Sequence, residues 1–148
     1  MSDTNAGEVL NELLRSAHDS ADGYRQGMSL ARNPAFQTLF RNRAEEREAL
    51  VQAIEAEVKS FGADPAQEGT MSGEVNRLVT LGRNALARDS DKGLIADLVR
   101  RGALVIRNFE AVSNDSSAPE QARKAAADAL EKLTAGQREL EGLGEQFR

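Results

Sequence analysis

Apolar residues recur along this chain at intervals of three and four, the spacing of helices that bury one face. Leu10, Leu14, Ala17, Ala21, Tyr24 and Met28 form one such stripe and predict a first helix over 6–32. Asn33-Pro34 ends it and starts the next, with Asn33 as N-cap and Pro34 in the first helical position. The second stripe is Phe36, Phe40, Ala44, Arg47, Val51, Ile54, Val58 and Phe61, stopped by Gly62 and Asp64-Pro65. A loop over 62–72 follows, then a short helix over 73–87 carrying Val75, Leu78, Val79, Gly82 and Leu86. After a break at 88–91, Ile95, Leu98, Gly102, Val105, Phe109 and Val112 predict a third long helix over 91–112. Asn114 to Ser117 reads as a turn. Ser117 and Glu120, flanking Pro119, have the spacing of a capping box for a last helix over 119–142. That helix carries Ala122, Ala126, Leu130, Leu133, Gln137 and Leu140 on one face.

Two long helices joined by a tight turn pack as antiparallel neighbours, which applies to the first pair and to the last. Roughly 30 residues separate the pairs, enough to cross the length of a bundle, as a fold with one long crossover requires. The expectation is a single all-α domain over 8–143, a ferritin-like four-helix bundle whose crossover holds an additional short helix. Residues 1–7 are expected to fray and 144–148 to form a tail.

Composition narrows the chemistry. The chain has 148 residues, one histidine and no cysteine. Thiol catalysis, disulfides and Cys-ligated metal centres are excluded. A net charge of −5 argues against general affinity for nucleic acid or anionic lipid, although the basic residues are mostly Arg. No apolar run approaches a membrane span and no apolar signal region opens the chain, so the expected location is the cytoplasm. Phosphate-loop, dinucleotide-binding and nucleophile-elbow motifs are missing.

A family resemblance runs over about residues 8–142. Its residues are Leu10-Asn11-Glu12-Leu13-Leu14, Asp19, Gly23-Tyr24-Arg25, Glu46-Arg47 with Leu50, Glu57-Val58, Phe61-Gly62-Ala63-Asp64-Pro65, Gly69, Gly93-Leu94-Ile95 and Phe109-Glu110. In their order and spacing the chain resembles the bacterial ferritin-like "domain of unknown function 2383" proteins. The resemblance implies a four-helix ferritin-like bundle, linked with stress-related operons and without assigned chemistry. The family tends to carry an acidic pair where this chain has Gly102-Ala103.

A carboxylate di-iron centre in such a bundle takes Glu from two helices and Glu-x-x-His from two others, hence two histidines. This chain has only His18 and no Glu-x-x-His. His18 and Asp22, one turn apart, are the weak metal candidates, and an ordinary polar pair is the plainer reading. If the first pair folds back at residue 33, Asp19 lies level with Arg47. If the last folds back at 115, Gly102 lies level with Asp128. This predicts a central polar layer of Asp19, Asp22, Tyr24, Arg47, Arg101 and Asp128. Arg47 either pairs within that layer, so that Arg47→Met would lower the melting temperature strongly, or runs outward along its aliphatic stem.

The expected function is a non-enzymatic, stress-associated, interaction or structural role, without catalytic residues and without a cofactor. The alternatives are a metal-binding or oxidoreductase protein, and a small-ligand carrier using space left by Gly82, Gly102 and Gly136. Glu45, Glu46, Glu55 and Glu57 read as solvated. Apolar groups on more than one side of the short helix (Leu78, Val79, Leu81, Leu86) suggest a homodimer; no protein partner can be named.

Overall fold

The computed structural model describes residues 2–69 and 91–146. Among these, four helices form: α1 (Ser2–Leu30), α2 (Pro34–Ser60), α3 (Lys92–Ser113) and α4 (Glu120–Glu145). No strand occurs among the described residues. The short helix expected over 73–87 lies outside them. α1 begins earlier than expected: residues 5–7 are helical and Ala6 is buried, with Gly7 against Ala63.

The helix ends follow local chemistry. The Asn33 side chain accepts from the Ala35 N–H (2.9 Å) with Pro34 at the first position, as the sequence predicts. α2 ends in a Schellman motif, with Gly62 at φ +77° and the Gly62 and Ala63 N–H groups donating to the Lys59 and Val58 carbonyls. The capping box at α4 does not form. Ser117 instead donates its N–H (2.9 Å) and its hydroxyl (2.6 Å) to Asp115 Oδ1, closing an Asx turn, and the N-cap is Pro119 without a side-chain bond. These bonds hold the exposed Asp115 carboxyl below its usual range.

Cross-helix neighbours fix the topology. α1 pairs antiparallel with α2, and α3 with α4. Ser16 meets Asn108 and Gln26 meets Arg101, so α1 and α3 are antiparallel too. Arg43 reaches Glu139 and Arg47 reaches Lys132, so α2 and α4 are antiparallel. The bundle therefore runs up, down, down, up, and the α2–α3 connection must travel from one end to the other. Its described ends are tied down. Asn11 bonds the Asp64 carbonyl and the Ala66 N–H, both at 2.9 Å. At the far end, the buried Asp91 carboxylate accepts the Arg32 and Asn33 N–H groups (2.8 and 2.9 Å), tying the start of α3 to the α1–α2 turn.

The buried apolar side chains fall into two clusters. One holds Leu10, Leu13, Leu14, Ala17, Ala21, Val51, Ile54, Val58, Val105, Phe109, Ala122, Ala126, Ala129 and Leu133. The other holds Tyr24, Ala31, Phe40, Ala44, Leu94, Ile95, Leu98 and Leu140. On every helix the two stretches are contiguous, so the clusters stack along the bundle axis. What lies between them is polar.

Candidate functional site

Arg47 is the largest fully buried side chain in the described structure, 2% exposed. It sits between Ala44 of one cluster and Val51 of the other. Its Nη1 donates to Glu46 Oε1 (2.6 Å), its Nη2 lies 3.4 Å from the Lys132 carbonyl, and the guanidinium stands 5.7 Å from the Tyr24 ring centre. Its Nε is buried without a hydrogen-bond partner among the described residues. Burial lowers the Arg47 pKa, while Tyr24 and Glu46 oppose the shift. Burial likewise raises the Tyr24 hydroxyl against the pull of Arg47 and Arg43.

Glu46, expected to be solvated, is shared: it also accepts from Arg43 (3.0 Å), and Arg43 continues to Glu139 on α4. Burial works against the charged Arg43, but these carboxylates outweigh it and its pKa rises. A chain of contacts thus runs from Tyr24 on α1 through Arg47, Glu46 and Arg43 on α2 to Glu139 on α4. Because Glu46 keeps Arg43 and about a third of its side-chain surface (35%), losing Arg47 strands no buried carboxylate.

Three helices contribute a neighbouring pair at this level and α2 contributes Arg47, and these interlock in a ring. Arg47 of α2 lies on Gly136 of α4, where a β-carbon would stand 2.5 Å from Nη2. The adjacent Gln137, 8% exposed, lies on Gly102 of α3 and donates to the Val99 carbonyl (2.7 Å). Arg101, next to Gly102, lies over Gly23 of α1 and donates to Gln26 Oε1 (3.0 Å). Tyr24, next to Gly23, meets Arg47 and closes the circuit. Gly102 and Gly136 leave no room for a ligand, because the neighbouring side chains fill them. At this level the cleft between α1 and α3, beside Gly23 and Arg101, offers about 20 Å³, space for one water.

Of the residues expected in a central layer, Tyr24, Arg47 and Arg101 lie at this level, and the carboxylates beside them are Glu46 and Glu139. Asp19 is buried on α1, away from Arg47, with Gly69 packed so closely that a β-carbon there would come 2.9 Å from the Asp19 backbone nitrogen. Asp128 is exposed on the outer face of α4. The first error follows from side-chain direction: helical side chains lean toward their own N-terminus, so Arg47 reaches Tyr24, more than a turn along α1 from Asp19. The second follows from the turn and the same lean together. With α3 ending at Ser113 and α4 starting at Glu120 the fold-back point shifts along the chain, and the Gln137 side chain leans back along α4 onto Gly102, where Asp128 was expected. Gln137 carried the same signal as Arg47, a polar residue on an apolar stripe, with a glycine beside it.

His18 is half-buried, and its Nε2–H donates to the Ala66 carbonyl (3.0 Å). Asp22 pairs instead with Arg25 (2.6 Å), which also bridges to Glu48. Among the described residues no three His, Asp or Glu side chains converge as a metal-ligand group. Burial holds the Asp22 carboxyl above the ordinary 3.8, against the pull of Arg25 and His18. A raised carboxylate contributes stability when protonated and loses it as pH rises from 3.8 through the folded-state value. Asp22→Asn is therefore expected to remove this falling contribution, making the slope of melting temperature against pH more positive over that range than in the parent. Identical pH slopes for the variant and the parent would refute the assignment.

The family described as Domain of unknown function (DUF2383) matches residues 5–115. The chain belongs to this family. No curated protein and no solved structure matches it. The DUF2383 match spans α1, α2, the connection and α3, and stops before α4. Gly136, Gln137 and Glu139, the α4 part of the ring, lie beyond it. Several residues that carry the resemblance have structural tasks here: Asn11 clamps the connection, Gly62 closes α2, Gly69 admits Asp19, and Glu46-Arg47 form the central ion pair. Where the resemblance led one to expect an acidic pair, Gly102 gives Gln137 its place.

Proposed function

We propose that this protein is a non-enzymatic, ferritin-like bundle with a stress-associated structural or interaction role. The single crossover joining two antiparallel pairs supports the ferritin-like reading. The observation that carries the functional reading is the Arg47 guanidinium at mid-bundle. A fixed positive charge there repels a metal ion, and the nearest carboxylate, Glu46, is bonded to two arginines. A di-iron centre does not fit this donor set: two guanidiniums, an amide and a phenol fill the interior. A homodimer in the cytoplasm, without nucleic acid, remains part of the proposal. No helix among the described residues is long and apolar enough to cross a membrane.

Metal analysis of tag-free protein tests the reading. The expected result is well below one iron or manganese per chain, and no rise in melting temperature on adding Fe(II) or Mn(II) anaerobically. Two ions per chain would overturn it in favour of the metal-binding alternative.

A further inference from the structure

We infer that the ring of Arg47, Gln137 and Arg101 on their facing glycines is a register lock. It fixes the height at which α4 docks against α2 and α3. The need for one is visible in α4 itself. Its fully buried contribution to the larger apolar cluster is Ala122, Ala126, Ala129 and Leu133, with Leu130 at its edge, so a slide by one turn still sets alanine against alanine over the first part of the contact. Apolar packing alone discriminates poorly between such heights.

The polar level does discriminate. Gly136 is the α4 residue that leaves room for the Arg47 guanidinium, and one turn to either side α4 presents Leu133 or Leu140, both buried. Gln137 fits α3 only at Gly102; a β-carbon there would already stand 3.1 Å from its amide carbon, and one turn away it would meet Leu98 or Val105. A slide would also take the Gln137 amide from the Val99 carbonyl and Glu139 from Arg43. A buried amide without its partner and a guanidinium pressed against a leucine are costly, whereas shifted alanines are not. Single buried polar residues set the register of coiled coils by the same means. Gly23 is the loose member, because Arg101 stands 3.7 Å from its would-be β-carbon, an ordinary contact.

The cysteine-free chain allows a direct test. Spin labels at Gln52→Cys on α2 and Glu141→Cys on α4, both exposed, stand at different heights and report axial sliding. The parent ring should give one narrow distance distribution. The double variant Arg47→Met with Gln137→Leu should stay helical by circular dichroism but give a broadened or second distribution, displaced by roughly one turn, about 5 Å. A narrow distribution at the parental distance in the helical double variant overturns the lock. Should the double variant lose its helicity, each single variant is read in the same way, and an unchanged narrow peak in both overturns it. Phe109→Leu, which perturbs packing away from the ring, should keep the parental distribution; broadening there would show that any core defect loosens α4 and would equally overturn the assignment.

Discussion

Arg47→Ala should be the most damaging single change at the centre of the bundle, costing about 3–5 kcal/mol in urea or thermal unfolding. The side chain is 2% exposed and fills the space between two apolar clusters, so truncation leaves a cavity bordered by Tyr24, Gly136 and the Lys132 carbonyl. Arg47→Met should cost no more than about 1.5 kcal/mol, because it restores most of the volume and removes the burden of a buried charge. Of the two sequence readings of Arg47, the paired one expects strong destabilisation by Arg47→Met, and that expectation assumes a carboxylate orphaned in the interior. Glu46 is not orphaned, because it retains Arg43 and access to solvent. Equal losses for Ala and Met would show that charge rather than volume sets the stability at this position.

The second large effect concerns a glycine, and its sign is the informative part. Gly→Ala in a helix interior ordinarily stabilises by about 1 kcal/mol. Gly142, with open space where a β-carbon would go, should follow that rule. Gly136→Ala should instead destabilise by about 1–3 kcal/mol, because the new methyl would stand 2.5 Å from Arg47 Nη2 and 3.3 Å from Arg43 Nε. Both guanidiniums are held by Glu46, and Arg47 has no solvent to retreat into. Parallel melts of the two variants check this; a stabilising Gly136→Ala would mean that Arg47 has another rotamer available and that the ring is slack on the α4 side.

The long helices and their buried faces were legible in the sequence because each apolar stripe keeps helical spacing over several turns. Phe40, Val51, Ile54, Leu98, Phe109, Ala126 and Leu133 are all buried as their positions predict. The polar centre was half legible. Arg47 and Tyr24 stood out by lying on apolar stripes, but which groups would meet them depended on two quantities that spacing does not carry: the lean of side chains along the helix, and the number of residues consumed by each turn. The first moved the partner of Arg47 away from Asp19, and the two together brought Gln137 rather than Asp128 onto Gly102. Glu46 was hidden for a different reason: a carboxylate at the edge of a buried face looks in sequence like any solvated one, and only the reach of Arg43 and Arg47 distinguishes it.

The up, down, down, up order has an electrostatic consequence. Around the bundle each helix lies beside neighbours running the opposite way, α2 beside α1, α1 beside α3, α3 beside α4 and α4 beside α2. Their peptide macrodipoles, each equivalent to about half an elementary charge at either terminus, therefore cancel pairwise. Among the four described helices, each end of the bundle has two starts and two finishes, so their backbone fields offset one another at both poles. What a charged partner would sense from these four helices at either end is therefore set by the side chains they place there.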